Sequence, residues 1–314
     1  MIKISREDFE NEIKRIRSIS FQSINYAQIY KKLYKFLGLP EAAINIAIGN
    51  AKFPYRTAPL GKVFPPALLP LWSTGAGTTV GYWKHWFTSH RSLTLVEHYG
   101  TTIYGSRRMV FEYARNFEQL IYISLYYDVI DDGGINKKYL DFLENIGVSE
   151  IENFEELAVT GNGDLDELLK HSAFKKNPPL RCLEKQNNYD IYAGDFPYEG
   201  MKLSELTLRN CCEYEIHSGF NRDMEPDYFF RKKVAETKFA PPWFKTEEKV
   251  RLFYKLIDEE DFLGSWMTLN SCGWKIKDAQ EAIMYLSQKA EDPLFSILAE
   301  IWSKLPYSDP SEEY

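Results

Sequence analysis

Strand signals in this chain are confined to one window. Three runs rich in aromatic and β-branched residues follow one another, Thr78 to Phe87, Leu93 to Tyr99 and Arg107 to Tyr113, with turn residues at Ser89 to Ser92 and Gly100 to Ser106. Short strands joined by short turns pair antiparallel, because a parallel pair needs a crossover of a dozen or more residues. From Asn116 onward the apolar spacing is helical and strand signals are sparse. This segregation excludes an alternating βα chain. It predicts an α+β fold: an N-terminal antiparallel sheet flanked by helices, followed by a mainly α-helical C-terminal half. At 314 residues two domains are expected from a prior of roughly 150 residues each. The break at Asp131-Asp132-Gly133-Gly134 divides residues 1–133 from residues 134–314.

Local signals place the helices. Ser5 caps a segment running to Arg17, with Glu7 and Asp8 at its positive end and Lys14, Arg15 and Arg17 at its negative end. Tyr26, Ile29, Tyr30, Leu33, Phe36 and Leu37 recur at helical spacing until Gly38 and Pro40 stop the run, and Pro40 to Ile48 predicts a shorter helix. Residues 51–78, rich in Pro and Gly, predict a long loop with extended pieces. Asn116 with Gln119 forms a capping-box pattern. Further helices are expected at 136–145, 149–159, 164–171, 203–218, 247–258, 260–270, 276–290 and 293–305. Thr246 is expected to cap the one at 247–258. Asp292 and Pro293 open the last, whose stripe is Leu294, Ile297, Leu298, Ile301, Trp302 and Leu305. Residues 172–200 predict loop, and Pro306 to Tyr314 a frayed polar tail.

Composition narrows the function classes. Hydrophobic residues are 44% and charged residues 26%, which excludes a disordered or fibrous chain. A net charge of -7 lacks the basic footprint of a nucleic-acid binder. The N-terminal residues carry no secretory pattern, and no apolar run approaches the roughly 20 residues that span a bilayer, so a cytoplasmic protein without membrane partners is expected. The four cysteines, Cys182, Cys211, Cys212 and Cys272, have no metal-binding spacing and are expected to be reduced and mostly buried.

The acidity is local. From Asp128 to Glu167 there are twelve acidic residues against Lys137 and Lys138, an excess of ten negative charges that leaves the rest of the chain at +3. Three readings are open. The first is a solvated helical face. The second is a metal site, although Asp128, Asp131 and Asp132 do not follow the ligand order of a calcium loop. The third is an electrostatic docking surface for a basic partner, with Asp131, Asp132, Glu150, Glu152, Glu155 and Glu156 as the contact residues.

Catalytic signatures are sparse. The glycines of Ser73-Thr74-Gly75-Ala76-Gly77-Thr78-Thr79 precede a strand and no lysine closes the motif, so a turn is expected there and not a phosphate cradle. His85, His90 and His98, with Glu97 beside them, form the one imidazole cluster. A hairpin could bring His85 to His98, which keeps a metal-dependent hydrolase as an alternative. Cys211 and His217 are six residues apart on an expected helix, a poor angle for a nucleophile and its base. No catalytic residue, cofactor or bound metal is assigned from the sequence.

Three segments carry a resemblance. Leu37-Gly38-Leu39-Pro40-Glu41 matches a helix end followed by a Leu-Pro-acidic start. Pro70-Leu71-Trp72-Ser73 with Gly75-Ala76-Gly77 matches a Pro-Leu run, a glycine turn and a strand. Ala114-Arg115-Asn116-Phe117-Glu118-Gln119-Leu120 matches the start of a final helix. In order and spacing they resemble the SUKH superfamily of bacterial immunity proteins and a fungal cell-wall regulator, over roughly residues 25–130. Gly49-Asn50 stands where that family usually has Asn-Gly, and the residues after Gly134 lie outside the resemblance. The resemblance implies a SUKH-like domain over 1–133. It also implies a non-enzymatic protein that binds and neutralises a cognate protein toxin in the bacterial cytoplasm. Toxins that act on nucleic acids tend to be basic, which fits the acidic stretch. A regulatory scaffold shares the same expected fold.

Overall fold

A computed structural model describes residues 4–19, 26–57, 63–74, 78–99, 109–148, 154–161, 163–186, 188–198, 201, 211–215, 234–306 and 312–314. Its centre is a four-stranded antiparallel sheet in sequential order: β1 (Leu68–Ser73), β2 (Thr78–Trp83), β3 (Thr94–Tyr99) and β4 (Met109–Ala114). Helices α1 (Arg6–Ser18), α2 (Tyr26–Phe36) and α3 (Glu41–Ala47) precede it. After it come α4 (Phe117–Asp132), α5 (Lys137–Ile146) and α6 (Phe154–Gly161), then four short 3₁₀ turns between Leu165 and Ile191. A helical array follows: α7 (Pro242–Lys245), α8 (Lys249–Asp258), α9 (Phe262–Leu269), α10 (Ile276–Ala290) and α11 (Pro293–Trp302). The fold is α+β, with the sheet in the N-terminal half and the C-terminal half mostly helical.

The sheet has one strand more than the sequence pattern predicts. Residues 68–73 lie in the stretch expected to be loop, because Pro70 interrupts the run. Proline is admitted on a sheet edge or at a bulge. Here β1 is the edge strand, and the register shifts between Pro70 and Trp72. Gly81 makes this possible: a Cβ there would meet the Leu69 carbonyl oxygen at 2.3 Å.

Capping follows the sequence closely. Ser5 accepts from Asp8 N–H, Asp292 from Leu294 and Phe295 N–H, and Asn116 from Gln119 N–H. The Gln119 side chain reaches back to Arg115 N–H at 2.9 Å. Several expectations are corrected. Residues 165–170 form a 3₁₀ helix. Thr246 accepts from Glu248 N–H just outside α8, whose N-cap is Glu248. The tail is not frayed throughout. Tyr314 is fully buried against Trp302, its hydroxyl donates to Leu269 O at 2.7 Å, and Lys275 and Glu313 form a bridge. The Gly75-Ala76-Gly77 turn, residues 149–153, His217 and most of the helix expected at 203–218 lie outside the described residues.

The sheet is buried on both sides. Every residue of β1 and β2 is buried. The Tyr34 hydroxyl of α2 donates to Pro70 O, α3 packs on β1, and α4 packs on β4. α4 is buried on nearly every side between Gln119 and Val129, as a helix enclosed by neighbours is. The opposite cover comes from far along the chain. Asn270 Oδ1 accepts from Ala67 N–H at 2.7 Å, Glu215 from Trp83 Nε1 at 3.2 Å, and Glu112 from Leu180 N–H at 3.1 Å. Arg17 of α1 donates to Glu300 of α11 through Nε at 3.0 Å. One continuous apolar cluster runs from Ile16 to Tyr314 and includes residues on both sides of Gly133.

Candidate functional site

Two groups of polar side chains stand out, one on the surface and one inside. The surface group is built where α4 ends. Gly133 closes α4 in the left-handed conformation, and the chain turns through Gly134 and Ile135 into α5. Glu155, in the first turn of α6, accepts from Ile135 N–H at 3.0 Å and ties α6 to that turn. Asp132 accepts from the Tyr55 hydroxyl at 3.0 Å and from Asn136 Nδ2 at 3.1 Å. Tyr55 is 58% exposed and has φ 57°, a left-handed backbone that is strained for a tyrosine.

Acidic and apolar side chains surround this point. Tyr139, Phe142 and Leu143 of α5 face the core, which turns Leu140, Asp141 and Glu144 outward. Phe154 and Ala158 of α6 are buried, leaving Glu155, Glu156 and Val159 outside. Leu140 is 45% and Val159 57% exposed. Asp131, Asp141, Glu144 and Glu156 form no ion pair among the described residues, whereas Asp164 and Glu167 further on pair with Lys185 and Lys170. Of the residues expected to contact a partner, Asp131, Asp132, Glu155 and Glu156 are exposed, and Asp132 and Glu155 are joined through the Gly134–Ile135 turn. Glu150 and Glu152 lie outside the described residues. Asp128 belongs to the interior, where it pairs with Arg56 at 3.1 Å. Beside Tyr55 a cleft of roughly 400 Å³ is lined by residues including Ile46, Phe53, Arg56 and Trp72.

The interior group joins the sheet to the segment at 211–215. His85 and Glu215 are both fully enclosed, with His85 Nε2 3.0 Å from Glu215 Oε1. Arg91 donates to the same oxygen and lies 4.0 Å from Asp195 Oδ2. Glu215 Oε2 accepts from Cys212 N–H at 2.8 Å. Burial alone would raise the Glu215 carboxyl, but Arg91 and His85 hold it down to about 2. Burial pushes the His85 imidazole below its ordinary range and the Cys211 thiol up to about 12. Such thiols are not nucleophiles at neutral pH. The pairing of Cys211 with His217 concerns a residue outside the described ones.

The histidines do not converge. His98 sits opposite Thr79 within the sheet, four positions from the end of β2, whereas His85 lies two positions beyond that end. His98 packs against Tyr214, Glu97 pairs with Arg181 at 3.1 Å, and His90 is exposed. The hairpin therefore leaves His85 and His98 apart. Instead His85 meets Cys212 and Glu215, whose ligand-type atoms lie within 4.8 Å of one another. Sequence spacing could not reveal this, because the partners are 130 residues apart. The sequence signal is faint, since Cys211-Cys212-Glu213-Tyr214-Glu215 mixes thiols with carboxylates, and only the fold shows that all five residues are buried.

Among the described residues no helix is long and apolar enough to cross a membrane. Comparison with protein-family profiles, with curated proteins and with solved structures finds no match to this chain.

Proposed function

We propose that the chain is a binding protein of the immunity type, which captures a basic protein toxin in the cytoplasm and neutralises it by contact. The observation that carries this is the Tyr55–Asp132 corner. An exposed tyrosine is held in a strained backbone conformation, its hydroxyl is fixed by an aspartate, and exposed acids and apolar side chains lie around it. Tyrosine is enriched among residues that dominate binding energy, and strain of this kind gathers where function demands it. A single-sign surface steers an oppositely charged partner and rejects others. The SUKH-like order of motifs over residues 25–130 supports the same reading.

The test begins with the protein that copurifies with the full chain from its native cell. A basic toxin is expected, in a 1:1 complex that buries about 1,000 Å² or more. The variant Asp131→Lys, Glu155→Lys, Glu156→Lys is then compared with the parent in stopped-flow association and in protection of toxin-expressing cells. Slower association with weaker protection supports docking through this face. Unchanged association and protection eliminate it.

A further inference from the structure

The histidine, cysteine and carboxylate brought together at the sheet's rim are the donor types that zinc selects. Imidazole nitrogen, thiolate sulfur and carboxylate oxygen bind that ion at roughly 2.0–2.3 Å. Around one such ion, tetrahedral donors stand roughly 3.3–3.8 Å apart by the same bond lengths. His85 Nε2 and Glu215 Oε1 are already 3.0 Å apart, and all three donor atoms lie within 4.8 Å. All three residues are buried, so these atoms are withdrawn from water.

We infer that His85, Cys212 and Glu215 form a site for a zinc-class divalent cation that pins the segment 211–215 to the connection between β2 and β3. The second ring nitrogen of His85, Nδ1, is buried without a hydrogen-bond partner among the described residues, an exception among enclosed polar atoms. At the other nitrogen Trp83 Nε1 lies 3.1 Å from His85 Nε2 and 3.2 Å from Glu215 Oε1, so an ion at Nε2 displaces the first contact and leaves Trp83 to the carboxylate.

Arg91 is the apparent obstacle, because a guanidinium beside a cation is repulsive. Its surroundings answer this. Arg91 faces two carboxylates, Glu215 and Asp195, so its charge is already offset on two sides. Arg91 also stacks over Phe196 at 5.6 Å and lies 3.9 Å from Cys211 Sγ, so it is anchored apart from Glu215. With the cation in place, Arg91 and Trp83 Nε1 donate to the coordinated carboxylate, the usual support for a metal-bound oxygen. Binding releases the Cys212 thiol proton to solvent and transfers no electron. The burial of all three donors keeps the ion away from bulk solvent.

The test uses the reduced, full-length chain, stripped with chelator and titrated with Co²⁺ alone and then with Zn²⁺. One equivalent of Co²⁺ is expected to bind and to give a thiolate-to-cobalt charge-transfer band that Zn²⁺ abolishes. The Cys212→Ser variant should lose the band, and His85→Gln should weaken binding tenfold or more. Circular dichroism shows whether these variants fold. If they do not, Zn²⁺ must slow alkylation of Cys212 relative to Cys182 in the parent chain in mild denaturant. Substoichiometric binding, a spectrum without the band, a band that survives Cys212→Ser, or equal alkylation rates would each overturn the inference.

Discussion

The interior and the surface of this molecule treat carboxylates in opposite ways. Inside, each glutamate of the sheet and its cover has a cation. Glu97 has Arg181, Glu112 has Arg115, Glu213 has Lys249 and Glu215 has Arg91. Along α4–α6, Asp131, Asp141, Glu144 and Glu156 form no ion pair among the described residues. A buried charge must be matched because its desolvation costs several kcal/mol, whereas an exposed one can stay unmatched at little cost. Two of these pairs, Glu97 with Arg181 and Glu215 with Arg91, join residues on either side of Gly133. The unmatched set is free to meet something else.

The largest expected effect comes from breaking an interior match. Arg91→Met leaves Glu215 enclosed without its guanidinium and should cost about 3–5 kcal/mol in urea unfolding. A loss below about 1 kcal/mol would mean the pairing is incidental, by the same yardstick. The double variant Glu97→Leu, Arg181→Met removes both charges and should recover most of what Arg181→Met alone loses, leaving a deficit of about 1–2 kcal/mol in a double-mutant cycle.

The surface set should respond in the reverse sense. Asp131→Lys with Glu156→Lys should change stability by no more than about 0.5 kcal/mol. It should slow association with a basic partner about tenfold at low salt, and the difference should shrink as salt screens it.

Acidity tests the interior from another side. Burial raises the Glu112 carboxyl above its ordinary value despite Arg115, Tyr192 and the Leu180 N–H. Its protonated form thus favours the folded state. That contribution is complete below the unfolded carboxylate value and is lost as pH rises through the raised folded value. Measured against Glu112→Gln, the parent should lose ground in urea midpoint over that rise. A constant difference would remove Glu112 from the pH response. A small loss is expected at the turn into α5, where Glu155→Gln weakens the contact with Ile135 N–H and should cost about 0.5–1 kcal/mol in urea unfolding.

Much of this was legible in the sequence because it is local. Ser5, Asn116 and Asp292 cap the helices they precede, and the three aromatic-rich runs became β2, β3 and β4. What stayed hidden depends on distant partners. β1 was obscured by Pro70, which only an edge position and a bulge accommodate. Tyr314 looked like part of a polar tail until Trp302 and Leu269 met it. In the candidate sites, the exposed acids could be read from their run, but Tyr55 reaches Asp132 across 77 residues and gives no periodic signal. His85 and Glu215 are in the same position.

The covering of the sheet from far along the chain bears on synthesis. Ala67 is met by Asn270 and Trp83 by Glu215, so the ribosome must deliver some 130 to 200 further residues before the strands are enclosed. During that interval Trp83, Val96 and Val110 are exposed on a nascent polypeptide, and such surfaces recruit chaperones or stick to one another. The yield of active molecules should therefore be governed by translation speed through the second half of the message.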